Sequence, residues 1–189
     1  MTKSEARHSD IKHVLFEAEP IQRRVCELGE QISRDYKGKD LVLVGILKGC
    51  VPFLSDLMRR IDLDFAVDFM SACSYEGEST TGVVRLLLDL RRSVQDKDVL
   101  IIEDIVDTGL TLKYLQENLR TRTPRSLEIC TMLDKPDCRM VPARPKYVGF
   151  EIPNEFVVGY GLDYYEIYRN LPYIGVLKDE AIARRKTAA

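Results

Sequence analysis

Histidine is scarce in this chain of 189 residues: only His8 and His13 occur, both in a polar N-terminal stretch. An exposed lead-in accounts for them, so any acid–base chemistry is expected to fall to carboxylates rather than imidazoles. The five cysteines (Cys26, Cys50, Cys73, Cys130 and Cys138) are odd in number, scattered, and form no C-x-x-C pair. That pattern argues against a disulfide framework or a zinc site and for reduced thiols. No apolar run approaches the roughly 18 residues of a membrane span, and "MTKSEARHSD" lacks the apolar region of a signal peptide. The chain is therefore expected in the cytosol, away from membranes. A strong excess of one charge is missing too: the net charge is −2 and the pI about 5.8, which leaves no basic field to attract nucleic acid. No G-x-x-x-x-G-K-[ST] occurs, so a Walker-type nucleotide loop is excluded. Nor is there an internal repeat or a Pro/Gly/Ser-rich linker, and residues 1–189 are expected to form one domain.

Hydrophobic residues make up 45% and charged residues 31%, enough for one sizeable core under a well-charged surface. Pro20 opens a helical pattern, with Ile21, Val25, Leu28, Ile32 and Tyr36 at helical spacing, that ends near Gly38. "LVLVGIL" (residues 41–47) is a continuous apolar run, as expected of a strand buried on both faces. A short helix at about residues 52–61 follows, then a strand in "DFAVDFMSACSY" and a small polar loop, "EGESTTG" (76–82). "VVRLLLDL" and "VLIIE" are strands, a helix covers about residues 111–119, and "LEICTML" is the next strand. "KYVGFEI", "FVVGYG" and "YIGVL" are shorter extended pieces. Buried strands alternating with helices predict an α/β fold, a mostly parallel twisted sheet flanked by helices.

One join carries chemistry. In "VLIIEDIVDTGLT" four apolar residues, Val99 to Ile102, run straight into Glu103 and Asp104, and Asp107, Thr108, Gly109 and Thr111 follow. Ligands of open parallel sheets sit beyond the carboxyl ends of the strands. The strand is predicted to end at Ile102, with Glu103 and Asp104 emerging at its edge and "DTGLT" turning into the next helix. Backbone N–H groups, the helix dipole and the Thr108 and Thr111 hydroxyls make a phosphate cradle, with Gly109 allowing close approach. Acids beside such a cradle repel phosphate unless they bind sugar hydroxyls or a Mg²⁺ bridges them. A phosphorylated sugar meets both conditions. A capped turn, with Asp107 or Thr108 as N-cap, would explain a lone Asp-Thr-Gly; the whole string on a buried strand argues for the cradle.

This string closely resembles the phosphoribosyl pyrophosphate signature of the type I phosphoribosyltransferases. Further motifs, in order between about residues 10 and 178, resemble the hypoxanthine–guanine branch of that family, bacterial type. The resemblance implies the family fold, with a small hood from about residues 1–20 and 150–189 and a lid loop at about 74–84. It implies that Glu103 and Asp104 hold the ribose hydroxyls, directly or through Mg²⁺. Asp107, Thr108, Gly109, Leu110 and Thr111 would bind the 5′-phosphate, and Asp107 would also be the acid/base group near purine N7. In "GILKGCVPF", Lys48 and Gly49 match the pyrophosphate loop, the Leu47–Lys48 bond matches one that is cis in relatives, and Cys50 replaces a glycine common there. Ser74 and Tyr75 match the pair that opens the lid, whose closure would shield an oxocarbenium-like transition state from water.

Lys135, in "LDKP", matches a lysine that donates to purine O6, although a lysine after a strand is ordinarily solvated. In "FVVGYGLDYYEIYR" the match makes Phe156 a stacking partner of the purine and Val157 a backbone contact to the base edge. Asp163 would hold a second Mg²⁺ through water, and Arg169 would bind pyrophosphate. Taken alone, Phe156 is equally a core residue and Arg169 half of a surface ion pair.

The resemblance therefore implies a purine-salvage enzyme using Mg²⁺, held by Glu103, Asp104 and Asp163. It would move the 5-phosphoribosyl group from phosphoribosyl pyrophosphate to N9 of hypoxanthine or guanine, giving IMP or GMP and pyrophosphate. A homodimer or homotetramer is expected, with neither nucleic acid nor membrane as partner. One alternative is a transcriptional regulator that binds phosphoribosyl pyrophosphate without catalysis; the absence of an added DNA-binding domain and the presence of Asp107 and Lys135 argue against it. The other is the same transfer to a different base, such as xanthine or uracil, and Lys135 with the segment at residues 156–169 argues against uracil.

Overall fold

The computed structural model describes residues 8–74 and 84–186. In chain order its elements are β1 (Ile11–Phe16), α1 (Ala18–Asp35), β2 (Leu41–Ile46), α2 (Val51–Met58), β3 (Phe65–Ser74), β4 (Val84–Leu88) and β5 (Asp98–Val106). They are followed by α3 (Leu110–Arg120), β6 (Ser126–Asp134), β7 (Tyr147–Glu151), β8 (Val157–Val158), β9 (Ile174–Leu177) and α4 (Asp179–Lys186).

Six strands form one sheet in the order β4-β3-β2-β5-β6-β7. All neighbours are parallel except β3 and β4. The apolar runs make this possible, because a central parallel strand is covered on both faces. All six residues of β2 are buried. Their period of two divides them between the faces: Leu41, Leu43, Leu100 and Ile102 pack with α1 and α2, and Val42, Val44, Val99 and Ile101 pack with α3. Ile21, Val25, Leu28 and Ile32, spaced three or four apart on α1, are each fully buried.

Three expectations change. The strand predicted to stop at Ile102 continues to Val106, because β6 runs beside it with Glu103 opposite Thr131, Ile105 opposite Leu133 and Val106 opposite Asp134. Glu103 is thus 7% exposed inside the sheet rather than emerging from it. The supposed lead-in around His13 is also structured. It is β1, which pairs antiparallel with β9, and β8 completes a separate three-stranded sheet. His13 lies 3.8 Å from Glu155 in that sheet's surroundings. The helix expected over residues 52–61 is shorter, Val51–Met58. Among the described residues Cys26, Cys50, Cys130 and Cys138 are free thiols, and no helix is long and apolar enough to cross a membrane.

Candidate active site

The C-terminal ends of β2, β5 and β6 meet the segment after β8 around one cleft. Asp104, Asp107, Lys135, Phe156, Val157 and Asp163 all line it. Glu103 points the other way along the alternating strand and lines a neighbouring hollow with Asp107, Thr108, Gly109 and Thr111. Burial, and then the charge of Asp104, hold the Glu103 carboxyl well above the usual carboxylate range. Burial likewise pushes Asp104 up to about 6, with Asp163 adding to the rise while the Ile105 N–H and Arg169 oppose it. Asp104 Oδ1 accepts that N–H at 2.8 Å.

The turn from β5 into α3 is set by Gly109, the N-cap of α3, at φ +83°. A side chain there would strain the backbone and press on Val141 and Ala143, whose atoms lie 3.0–3.3 Å from an added Cβ. The Met140 and Val141 N–H groups both donate to the Thr108 carbonyl, at 3.0 and 3.4 Å. Leu110, expected in the loop, is the first residue of α3, and the Thr108 hydroxyl accepts its N–H at 3.5 Å.

The β2–α2 turn closes the cleft from the other side. Its Leu47–Lys48 peptide is cis, as the sequence resemblance implied. At position 49 an added Cβ would stand 1.6 Å from Asp104 Oδ2, so any larger residue must displace that carboxylate. Cys50, the departure from the family's pattern, is fully buried and burial pushes its thiol up. Gly161, at φ +102°, packs so tightly that a Cβ would lie 2.0 Å from the Gly49 carbonyl. Arg169 secures this junction by donating from Nη1 to the Gly161 carbonyl at 2.8 Å. Its Nη2 lies 2.8 Å from Asp163 and 3.4 Å from Glu166, and its buried Nε has no hydrogen-bond partner among the described residues. Glu166 also meets Lys48 Nζ at 3.1 Å, and Lys48 foremost holds its carboxyl below the usual range. Lys48 and Arg169, the two basic residues matched to pyrophosphate in the sequence, are therefore brought together through one acid.

Lys135 is 6% exposed, not solvated. Its Nζ lies 3.4 Å from Asp107 Oδ2, on a carboxylate that is half-exposed. Phe156 is 43% exposed and meets Tyr164 edge-to-face, with centroids 5.0 Å apart. Its open face is available to the cleft instead of being core. Val157 is buried in β8. Ser74 closes β3, while Tyr75 and the loop 76–82 lie outside the described residues.

No three His, Cys, Asp or Glu side chains converge on a metal position among the described residues. Mg²⁺ typically uses one or two carboxylates, waters and ligand oxygens. Asp104, partly buried, raised by its surroundings and influenced by Asp163, fits such a role. The resemblance did not bring out Arg139, Asp134, Gly161 or Glu166. No local pattern marks them, since Glu166 stands 118 positions from Lys48.

A parallel sheet with acids at the end of β5, a glycine-capped turn after them and a lysine-lined cleft beside the turn is the architecture of a sugar-phosphate transferase. Residues 14–165 match the family model described as "Phosphoribosyl transferase domain", and the chain belongs to that family. It is 56% identical over 174 residues to the hypoxanthine-guanine phosphoribosyltransferase of Staphylococcus aureus, covering 92% of this chain and 97% of that protein. It is 54% identical over 178 residues to the protein of the same name from Staphylococcus epidermidis, covering 94% of this chain and 99% of that one. Among solved structures, a hypoxanthine phosphoribosyltransferase from Staphylococcus aureus superposes with a TM-score of 0.91 at 54% identity, over 95% of this chain and 98% of the other.

Proposed function

We propose that this chain transfers the 5-phosphoribosyl group from phosphoribosyl pyrophosphate to N9 of hypoxanthine or guanine, giving IMP or GMP and pyrophosphate, as a cytoplasmic homodimer or homotetramer. The observation that carries this reading is the Lys135–Asp107 pair, 3.4 Å apart in the cleft beside the β5–α3 turn. A 6-oxopurine carries O6 and N7 side by side on one edge. Lys135 is donor-only and satisfies O6, while Asp107 accepts the proton at N7. Adenine would set its amino group against the Lys135 donors, a mismatch that a buried polar site rejects strongly.

In the reaction the N9–C1 bond forms as the bond from C1 to pyrophosphate breaks, and the proton leaves through Asp107. The rest is positioning. Phe156 offers its open face to the purine and the Val157 backbone meets the base edge. Residues 107–111 hold the 5′-phosphate, Glu103 and Asp104 face the ribose hydroxyls, and Lys48, Gly49 and Arg169 receive the pyrophosphate. Asp104, Glu103 and Asp163 are the candidate carboxylates for Mg²⁺, which when bound neutralises charge on the diphosphate.

The test is turnover with hypoxanthine, guanine, xanthine, adenine and uracil in turn, with phosphoribosyl pyrophosphate and Mg²⁺. Hypoxanthine and guanine should react and adenine barely. A chelator should abolish turnover, with Mg²⁺ restoring it. Equal use of adenine or uracil would sink the assignment of the base, and full activity without metal would sink the assignment of the acids.

A further inference from the structure

Arg139 has no part in the contacts proposed above, yet its guanidinium spans the backbone beneath them. Nη1 donates to the Val106 carbonyl at 2.7 Å, to the Asp107 carbonyl, and more weakly to the Lys135 carbonyl at 3.4 Å. Nε donates to the Ala143 carbonyl at 3.2 Å, and Nη2 pairs with the Asp134 carboxylate. The pair is largely buried, with side chains 15% and 10% exposed.

The position of these carbonyls matters. The β5–β6 ladder ends with Val106 opposite Asp134, and one further bond, from the Lys135 N–H to the Val106 carbonyl, extends it at 3.0 Å. Asp107 lies past that point, so the regular ladder no longer fixes its distance from Lys135. A planar guanidinium with five donors can gather carbonyls from both strand ends at once, and a compact ammonium cannot. The chain that follows Arg139 then returns its Met140 and Val141 N–H groups to the Thr108 carbonyl, which ties the phosphate turn to the same anchor.

We propose that Arg139 is a positioning residue for base recognition: through the Val106, Asp107 and Lys135 carbonyls it sets the spacing of the Asp107 carboxylate and the Lys135 ammonium, with Asp134 holding the guanidinium in orientation. It acts on the purine without touching it. The inference rests on the function proposed above and assigns the origin of its selectivity.

Wild type, Arg139→Lys and Asp134→Asn are compared for kcat and KM with hypoxanthine, guanine and adenine at saturating phosphoribosyl pyrophosphate. Each is assayed well below its own Tm. A displacement of about 1 Å at a reacting group costs about 10²-fold, so both variants should lose about that much in kcat/KM for the 6-oxopurines, mainly in kcat. Their hypoxanthine-over-adenine ratio should narrow at least about tenfold. A purely structural arginine would lower Tm and scale every base alike. An unchanged ratio in both variants, with the wild type active on hypoxanthine, overturns the role of Arg139 and leaves the proposed function standing. A wild type inactive on both 6-oxopurines overturns the function and this inference with it. If Arg139→Lys fails to fold, Asp134→Asn, which keeps an acceptor but not the counter-charge, decides by the same ratio.

Discussion

Asp107 is half-exposed and stands 3.4 Å from a nearly buried ammonium, an arrangement that leaves its carboxylate accessible to a ligand. Replacement by Asn preserves size and one acceptor but removes the proton-accepting group. General acid–base assistance is worth about 10²–10⁴-fold, so Asp107→Asn should lose that much in kcat while phosphoribosyl pyrophosphate binding stays near normal in calorimetry; a near-normal kcat would reduce Asp107 to part of the phosphate turn. Asp104 makes a different prediction, because its folded pKa of about 6 is raised chiefly by burial. The folded protein then holds a proton that the unfolded chain has released between about pH 4 and 6, so stability from this group falls as pH rises through that window. In ligand-free protein with a chelator, Asp104→Asn should be more stable than wild type at pH 7.5, by up to about 3 kcal/mol, and the advantage should vanish near pH 4 in denaturant titrations. A constant difference at all pH values would mean that burial does not govern Asp104. These residues were legible in the sequence because three acids and a glycine directly after an apolar run are locally anomalous. Lys135 was legible only by resemblance, since nothing adjacent in sequence announces its burial.

Elements meet at the cleft so closely at two glycines that an added Cβ would clash. The β2–α2 turn lies against β5 at Gly49 and Asp104, and the segment after β8 lies against the same turn at Gly161. Gly49→Ala should therefore cost about 1–3 kcal/mol through overpacking and weaken pyrophosphate binding. Combining it with Asp104→Ala removes the atom 1.6 Å away and should recover most of the lost Tm, a coupling that a double-mutant cycle measures. Additive losses would show that the clash is relieved elsewhere. The elements themselves were largely predictable: α1 from its 3.6-residue period, β2 and the start of β5 from continuous apolar runs. The end of β5 was not. Polar residues read locally as an edge, whereas β6 alongside satisfies their backbone groups out to Val106.

At the scale of the whole molecule two sheets differ in how they are covered. β2 and most of β5 are buried on both faces, whereas β1 is mostly partly buried or exposed and is tied in through β9 and through Asp10, which accepts from the Tyr168 hydroxyl and from Arg184 at 2.8 Å each. Hydrogen exchange should place the amides of β2, β5 and β6 in the slowest class and those of β1 and β9 in a faster one that opens below global unfolding; equal protection would make the two sheets one cooperative unit. The sequence by itself determined the central parallel sheet, its covering helices and the acid-and-glycine turn, because period and burial are encoded within a dozen neighbouring residues. Tertiary structure alone decided that residues 11–16 become a strand, that Glu166 bridges Lys48 and Arg169, and that Arg139 gathers the carbonyls beneath Asp107 and Lys135. Arg139 reaches Asp107 across 32 positions and Glu166 reaches Lys48 across 118, and no local preference encodes a partner that arrives only when strands align.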